Sequence, residues 1–92
     1  MSTATVRIPT PLRTVTDGAA TVQVDGDDVG EVVRALDSAH PGIAERILDE
    51  QGRVRRFVNV FVDDDDIRFA DGLATPVGNG SVVSIIPAVA GG

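Results

Sequence analysis

Apolar and polar residues alternate in Thr5-Val6-Arg7-Ile8, ahead of Pro9 and Pro11, and again in Thr21-Val22-Gln23-Val24, after an Asp17-Gly18 turn. A period of two marks half-buried strands, so these segments predict an opening hairpin. Asp25-Gly26 closes the second strand. Asp28, with Glu31 three residues on, makes a capping-box-like start, and Val29, Val32, Val33 and Leu36 follow at helical spacing. A helix over Val29–Ala39 is predicted, ending at His40-Pro41-Gly42, where the pre-proline restriction and then glycine act together. Residues 43–48 suit one more short helical turn, and 49–56 read as a polar loop. In Phe57-Val58-Asn59-Val60-Phe61-Val62 the period of two sets the valines against Phe57, Asn59 and Phe61, and the valines are expected in the core. After the acidic run 63–66, Ile67-Arg68-Phe69 is expected to be a short extended piece and 71–77 irregular. Gly78-Asn79-Gly80 is a turn, and 81–86 is the last strand, with Val83 and Ile85 on one face and Val82, Ser84 and Ile86 on the other.

The order strand, strand, helix, strand, short strand, strand predicts an α+β fold, a mixed sheet with one main helix packed on one face. The β-grasp fold has this order and length. It would place the first and last strands side by side at the sheet centre. Residues 1–87 are expected to form that domain, and residues 88–92 a flexible C-terminal Gly-Gly tail.

Ninety-two residues support one modest core. With three Phe and no Trp or Tyr, aliphatic side chains must fill it. The formal charge of −6 argues against a nucleic-acid partner, which needs clustered positive charge, and favours a protein with a basic groove. All eight basic residues are Arg. The lack of Lys has two readings, a protein with no side-chain isopeptide acceptor of its own, or a genome that writes Arg for Lys. Cysteine is also absent, which excludes disulfides, thiol catalysis and Cys-ligated metals. No apolar run approaches the roughly 20 residues of a membrane span, and the start lacks a signal peptide's basic and apolar regions. A cytoplasmic protein without membrane association is expected.

The candidate chemistry lies at the end, Pro87-Ala88-Val89-Ala90-Gly91-Gly92. Two glycines can thread a slot too narrow for side chains, presenting a carboxylate to an enzyme. A carboxylate is a poor electrophile, so the chemistry this end invites is activation by ATP to an acyl-adenylate, followed by attack of sulfur or an amine. Gly92 would carry that chemistry and Gly91 would pass the constriction, with Val89 and Ala90 as a slim apolar anchor. Without cysteine, any sulfur the protein carries must sit on its terminal carbonyl. The plainer reading is an incidental Gly-Gly end on an interaction domain. Phe57, Phe61 and Ile86 are docking candidates because they fall opposite the predicted core set; alternatively, Phe57 and Phe61 pack under the polar loop.

Other features carry less. His40 suits a solvent-facing helix end. Residues 63–66 lack the spacing and closing Glu of a calcium loop and read as a solvated turn at the sheet's edge. Arg53, Arg55 and Arg56 suit a surface role. No phosphate loop or nucleophile-base-acid set is present, so this chain is not expected to be an enzyme.

The chain resembles the ubiquitin-like sulfur-carrier family, the MoaD/ThiS superfamily, and most closely its cysteine-synthesis branch. The resemblance rests on Val6-Arg7-Ile8-Pro9-Thr10 with Leu12-Arg13, on Arg56-Phe57-Val58-Asn59-Val60-Phe61-Val62, on Asp66-Ile67-Arg68-Phe69 with Gly72-Leu73-Ala74-Thr75, and on Ile86-Pro87-Ala88-Val89-Ala90-Gly91-Gly92. ThiS-like carriers are shorter and generally lack the 57–75 segment in this form. MoaD-like chains typically have a second proline where Ala88 stands. The resemblance implies that an E1-like adenylating and sulfur-transferring enzyme uses ATP and magnesium to convert Gly92 to a thiocarboxylate. It further implies a PLP-dependent cysteine synthase that uses this sulfur and a zinc-dependent JAMM-type peptidase that releases cysteine. PLP and zinc would belong to those partners, and this chain would bind no cofactor. The small subunit of molybdopterin synthase and a ubiquitin-like protein modifier use the same end and remain alternatives.

Overall fold

The computed structural model describes residues 2–87. Strand β1 (Thr3–Arg7) pairs antiparallel with β2 (Thr21–Asp25), Val6 lying opposite Val22. β1 begins two residues before the alternating segment. The Thr3 N–H donates to Asn79 Oδ1 at 3.0 Å and the Thr3 carbonyl accepts from Gly80 N, so a distant turn extends the strand. The connection between β1 and β2 is longer than a tight hairpin. It contains a 3₁₀ turn (Thr10–Leu12) and the Asp17-Gly18 pair, both with positive φ.

Helix α1 (Val29–Ala39) has the predicted bounds. Asp28 is its N-cap, Oδ1 accepting from Glu31 N at 2.8 Å, and Glu31 Oε1 accepts in return from Asp27 N at 2.9 Å. Replacing Asp28 by Ala is expected to cost about 1 kcal/mol, read as a lower urea midpoint at unchanged slope. Gly26, between β2 and α1, is required by a close approach: a Cβ there would stand 2.8 Å from Val32 N. α1 ends at His40, and Gly42 turns the chain with φ of 101°. The short helix α2 (Ile43–Ile47) borrows its cap from α1, Asp37 Oδ1 accepting from Gly42 N and Ala44 N.

The loop after α2 folds on itself. Asp49 Oδ1 accepts from Arg53 N at 3.0 Å and from Gln51 N at 2.8 Å. These hydrogen bonds, that from Arg53 foremost, hold its carboxyl below the ordinary aspartate range. Whatever the pair contributes is present above the unfolded pKa and is lost as pH falls through the folded one. A carbon-detected NMR titration should therefore find Asp49 protonating at lower pH than an unpaired surface aspartate.

Strand β3 (Val58–Val62) pairs antiparallel with β5 (Val82–Pro87) and with the two-residue β4 (Asp65–Asp66). β5 also runs parallel to β1, giving the order β2-β1-β5-β3-β4. First and last strands lie side by side with β5 at the centre, the β-grasp arrangement expected. Val58, Val60 and Val62 are buried, as are Val83 and Ile85, and they join the apolar face of α1 in one core. The segment 71–77 crosses to the start of α1, where Val29 N donates to Thr75 O and Val77 N to Asp27 O.

Two expectations are corrected. The extended piece after β3 is Asp65–Asp66, and Ile67–Phe69 is a 3₁₀ turn, because Asp66 caps it by accepting from Arg68 N at 2.9 Å. Phe57 lies in a turn just before β3.

Candidate functional site: the exit of the last strand and the surfaces around it

The register of β5 fixes what surrounds its end. Val83 lies opposite Val6 on one side and Val62 on the other, Ile85 opposite Val60, Ile86 opposite Asn59 and Pro87 opposite Val58. Strand parity then buries Ile85 and turns Ile86 outward, 47% exposed. β5 is held between two partner strands through Ser84, and beyond that its end, Pro87, pairs with Val58 of β3 alone. Residues Val89, Ala90, Gly91 and Gly92, which carry the expected chemistry, lie outside the described residues.

Two depressions adjoin that end. One, of about 300 Å³, is lined by Pro9, Pro11, Leu12, Val58, Ile85 and Pro87, with Arg46 among the polar groups at its edge. The other is shallow, about 510 Å³, and lies on the outer face of the sheet, where Phe61 and Ile86 meet Arg7 and Ser84 near Asp63 and Asp64. Phe61 and Ile86 are therefore brought together as sequence parity predicts. Phe57 does not line this depression. It is 55% exposed on its turn, so it does not pack beneath the polar loop either.

Phe69 is not among the expected docking residues, yet it is 92% exposed. The missed signal is Asp66 two residues ahead of Arg68, a capping pattern that curls the segment and turns Phe69 out of a strand's alternation. Among the described residues no cluster of three or more His, Cys, Asp or Glu is arranged to hold a metal ion, and no helix is long and apolar enough to cross a membrane.

The sheet order, the single long helix beneath it and the central last strand define a ubiquitin-like β-grasp protein. The ThiS family matches residues 6–92, and the chain belongs to that family. It is 48% identical over 90 residues to the sulfur carrier protein CysO of Mycobacterium tuberculosis, covering 96% of this chain and 97% of that one. A chain of the Amycolatopsis orientalis BexX/CysO complex superimposes with a TM-score of 0.91 at 45% identity, over 97% of this chain and 99% of that one. Small archaeal modifier protein 3 of Haloferax volcanii is 41% identical over 71 residues, 76% of each chain. By this kinship the protein is a carrier rather than an enzyme.

Proposed function

We propose that this protein is a sulfur carrier for cysteine synthesis, with the Gly92 carboxylate as its working group. The observation that carries this reading is the near-full-length identity with proteins named CysO. A carboxylate oxygen of Gly92 attacks the α-phosphorus of magnesium-bound ATP on an E1-like enzyme, and pyrophosphate leaves. Sulfide (HS⁻) supplied on that enzyme's side then attacks the acyl carbon, AMP leaves, and loss of the S–H proton leaves a thiocarboxylate. The thiocarboxylate sulfur adds to an aminoacrylate made by a PLP-dependent synthase from an activated serine. An acyl shift from sulfur to nitrogen joins cysteine to Gly92 by a peptide bond, and a zinc-dependent JAMM-type peptidase hydrolyses it. Gly91, Ala90 and Val89 thread the partner's channel, while Phe61 and Ile86 dock against it on the outer face and Phe57 does so from its own turn before β3. PLP and zinc reside in the partners, and the protein works in the cytoplasm.

The identity with an archaeal protein named a modifier supports a second reading, in which the activated Gly92 is attacked by a lysine amine of a target protein. Intact mass of the native protein, with fragmentation to locate the change, separates the two. Sulfur in place of oxygen, or an added cysteine at Gly92, is the result expected. Lysine-linked conjugates with no sulfur-bearing form would replace the first reading by the second.

A further inference from the structure

The two edges of the sheet are finished differently. At one, β4 is only two residues long, and the Arg68 guanidinium donates to the Val58 carbonyl of β3 at 2.8 Å, so the edge is short and capped. At the other, no strand lies beyond β2. Ile8 N donates to the Ala20 carbonyl and Gly26 N to the Ser2 carbonyl, which fixes the parity of the ladder between β1 and β2. Val22 and Val24 therefore bond to β1, and the backbone groups of Thr21, Gln23 and Asp25 point away from it. Those three N–H and three C=O groups have no hydrogen-bond partner among the described residues. Open edges are usually guarded by Lys, proline or a bulge. β2 has no Lys, Arg or Pro, and its register with β1 is unbroken over Thr21–Asp25.

The side chains of β2 select the strand that fits beside it. Thr21, Gln23 and Asp25 are exposed on the outer face, whereas Val22 is half-buried on the inner one, where α1 packs against β2. An added strand would alternate in the same way, apolar beside Val22 and polar beside the other three. Carboxylates gather at the end of β2: Asp25 accepts from Thr3 Oγ1, Asp27 from Ser2 N, and Glu31 from Asp27 N. The nearest arginines are turned elsewhere. Arg7, opposite Thr21, lines the outer-face depression with Phe61, Asp63 and Asp64, and Arg13 donates to the Ile8 carbonyl. Arg34 stands four residues after Gly30, on the face of α1 that meets Leu73. A second copy of the chain would set these carboxylates against themselves, which like-charge repulsion opposes; a cationic strand complements them.

We propose that β2 is a strand-addition site. An extended segment of another protein, alternating apolar residues with Lys or Arg, extends the five-stranded sheet through the backbone of Thr21, Gln23 and Asp25. β1 separates β2 from β5, and β2 contributes nothing to the outer-face depression, so this partner leaves Phe61, Ile86 and the end of β5 free. Neither the edge nor its partner depends on the chemistry of Gly92.

The test is an NMR titration of the isotope-labelled full chain with a short synthetic peptide alternating Lys and Val, beside a control peptide with Glu in place of Lys. With the Lys peptide, the amides of Thr21, Gln23 and Asp25 should shift and should exchange with solvent at least about tenfold more slowly; with the Glu peptide they should not change. Gln23→Pro removes a donor that has no partner within the fold, and it should abolish the response. Should a thermal scan show that variant to be unfolded, Asp25→Lys carries the test: it keeps every backbone group and should weaken binding of the Lys peptide about tenfold. No response at the three amides, or an equal response to both peptides, overturns the site. Protection of the same amides that grows with chain concentration in the absence of peptide, with a dimer in ultracentrifugation, overturns the cationic partner in favour of a second copy.

Discussion

Deleting Gly92 alone is expected to reduce sulfur loading by at least about 100-fold while leaving the unfolding transition where it was. The deletion does not remove the carboxylate; it draws it back by one residue, roughly 3.3–3.6 Å along an extended chain. Misplacing reacting groups by about 1 Å can already cost on the order of 100-fold. A carboxyl carbon shifted by three times that distance cannot reach the α-phosphorus without drawing Ala90 into the space meant for Gly91. Stability should not follow, because the buried core is built from residues 4–85. Single-turnover loading followed by mass spectrometry, beside a calorimetric scan, checks both halves. A truncated protein that loads at the wild-type rate would remove Gly92 from the chemistry.

The largest effect on stability is expected at Leu36. Its side chain is fully buried on the inward face of α1, where the helix meets the sheet. Leu36→Ala should cost about 2–5 kcal/mol, combining the lost transfer free energy with the cavity left behind. Domains of this size typically have about 5–15 kcal/mol in total, so the change removes a large share. The melting temperature should fall by at least about 10 °C. Urea unfolding should show a lower midpoint with little change in slope. An unchanged midpoint would mean that α1 does not close the core.

The elements legible in the sequence are those whose determinants lie close together along the chain. α1 carries its own cap at Asp28, its own apolar stripe and its own stop at His40-Pro41, and its bounds agree with the structure. β3 and β5 show their parity in valine and isoleucine, which also places Ile86 and Phe61 on the outer face together. Where partners come from far along the chain, local pattern misleads. Ile67-Arg68-Phe69 has a strand's composition, but Asp66 caps it into a turn, and the acceptors that hold the Arg68 side chain lie 9–13 residues earlier in the sequence. The parity that suits Phe61 does not extend to Phe57, because the strand begins one residue later. The start of β1 depends on Asn79, 76 residues away. The Gly-Gly end, whose chemistry is an expectation from residue type and resemblance, lies outside the described residues, whereas the braced turn bearing Phe69 requires the folded arrangement of Arg68.

The parallel pairing of β1 with β5 has a mechanical consequence. Thr5, Val6 and Arg7 face Val82, Val83 and Ser84 in register, with both strands running the same way. If the chain is pulled apart from Thr3 and from Pro87, the load runs along these two strands in opposite senses, and their hydrogen bonds are sheared together instead of unzipped one after another. Resistance of this kind is a matter of unfolding rate rather than equilibrium stability. A motor that pulls on the end of β5 meets the sheet's central strand first, so the fold resists tension applied there.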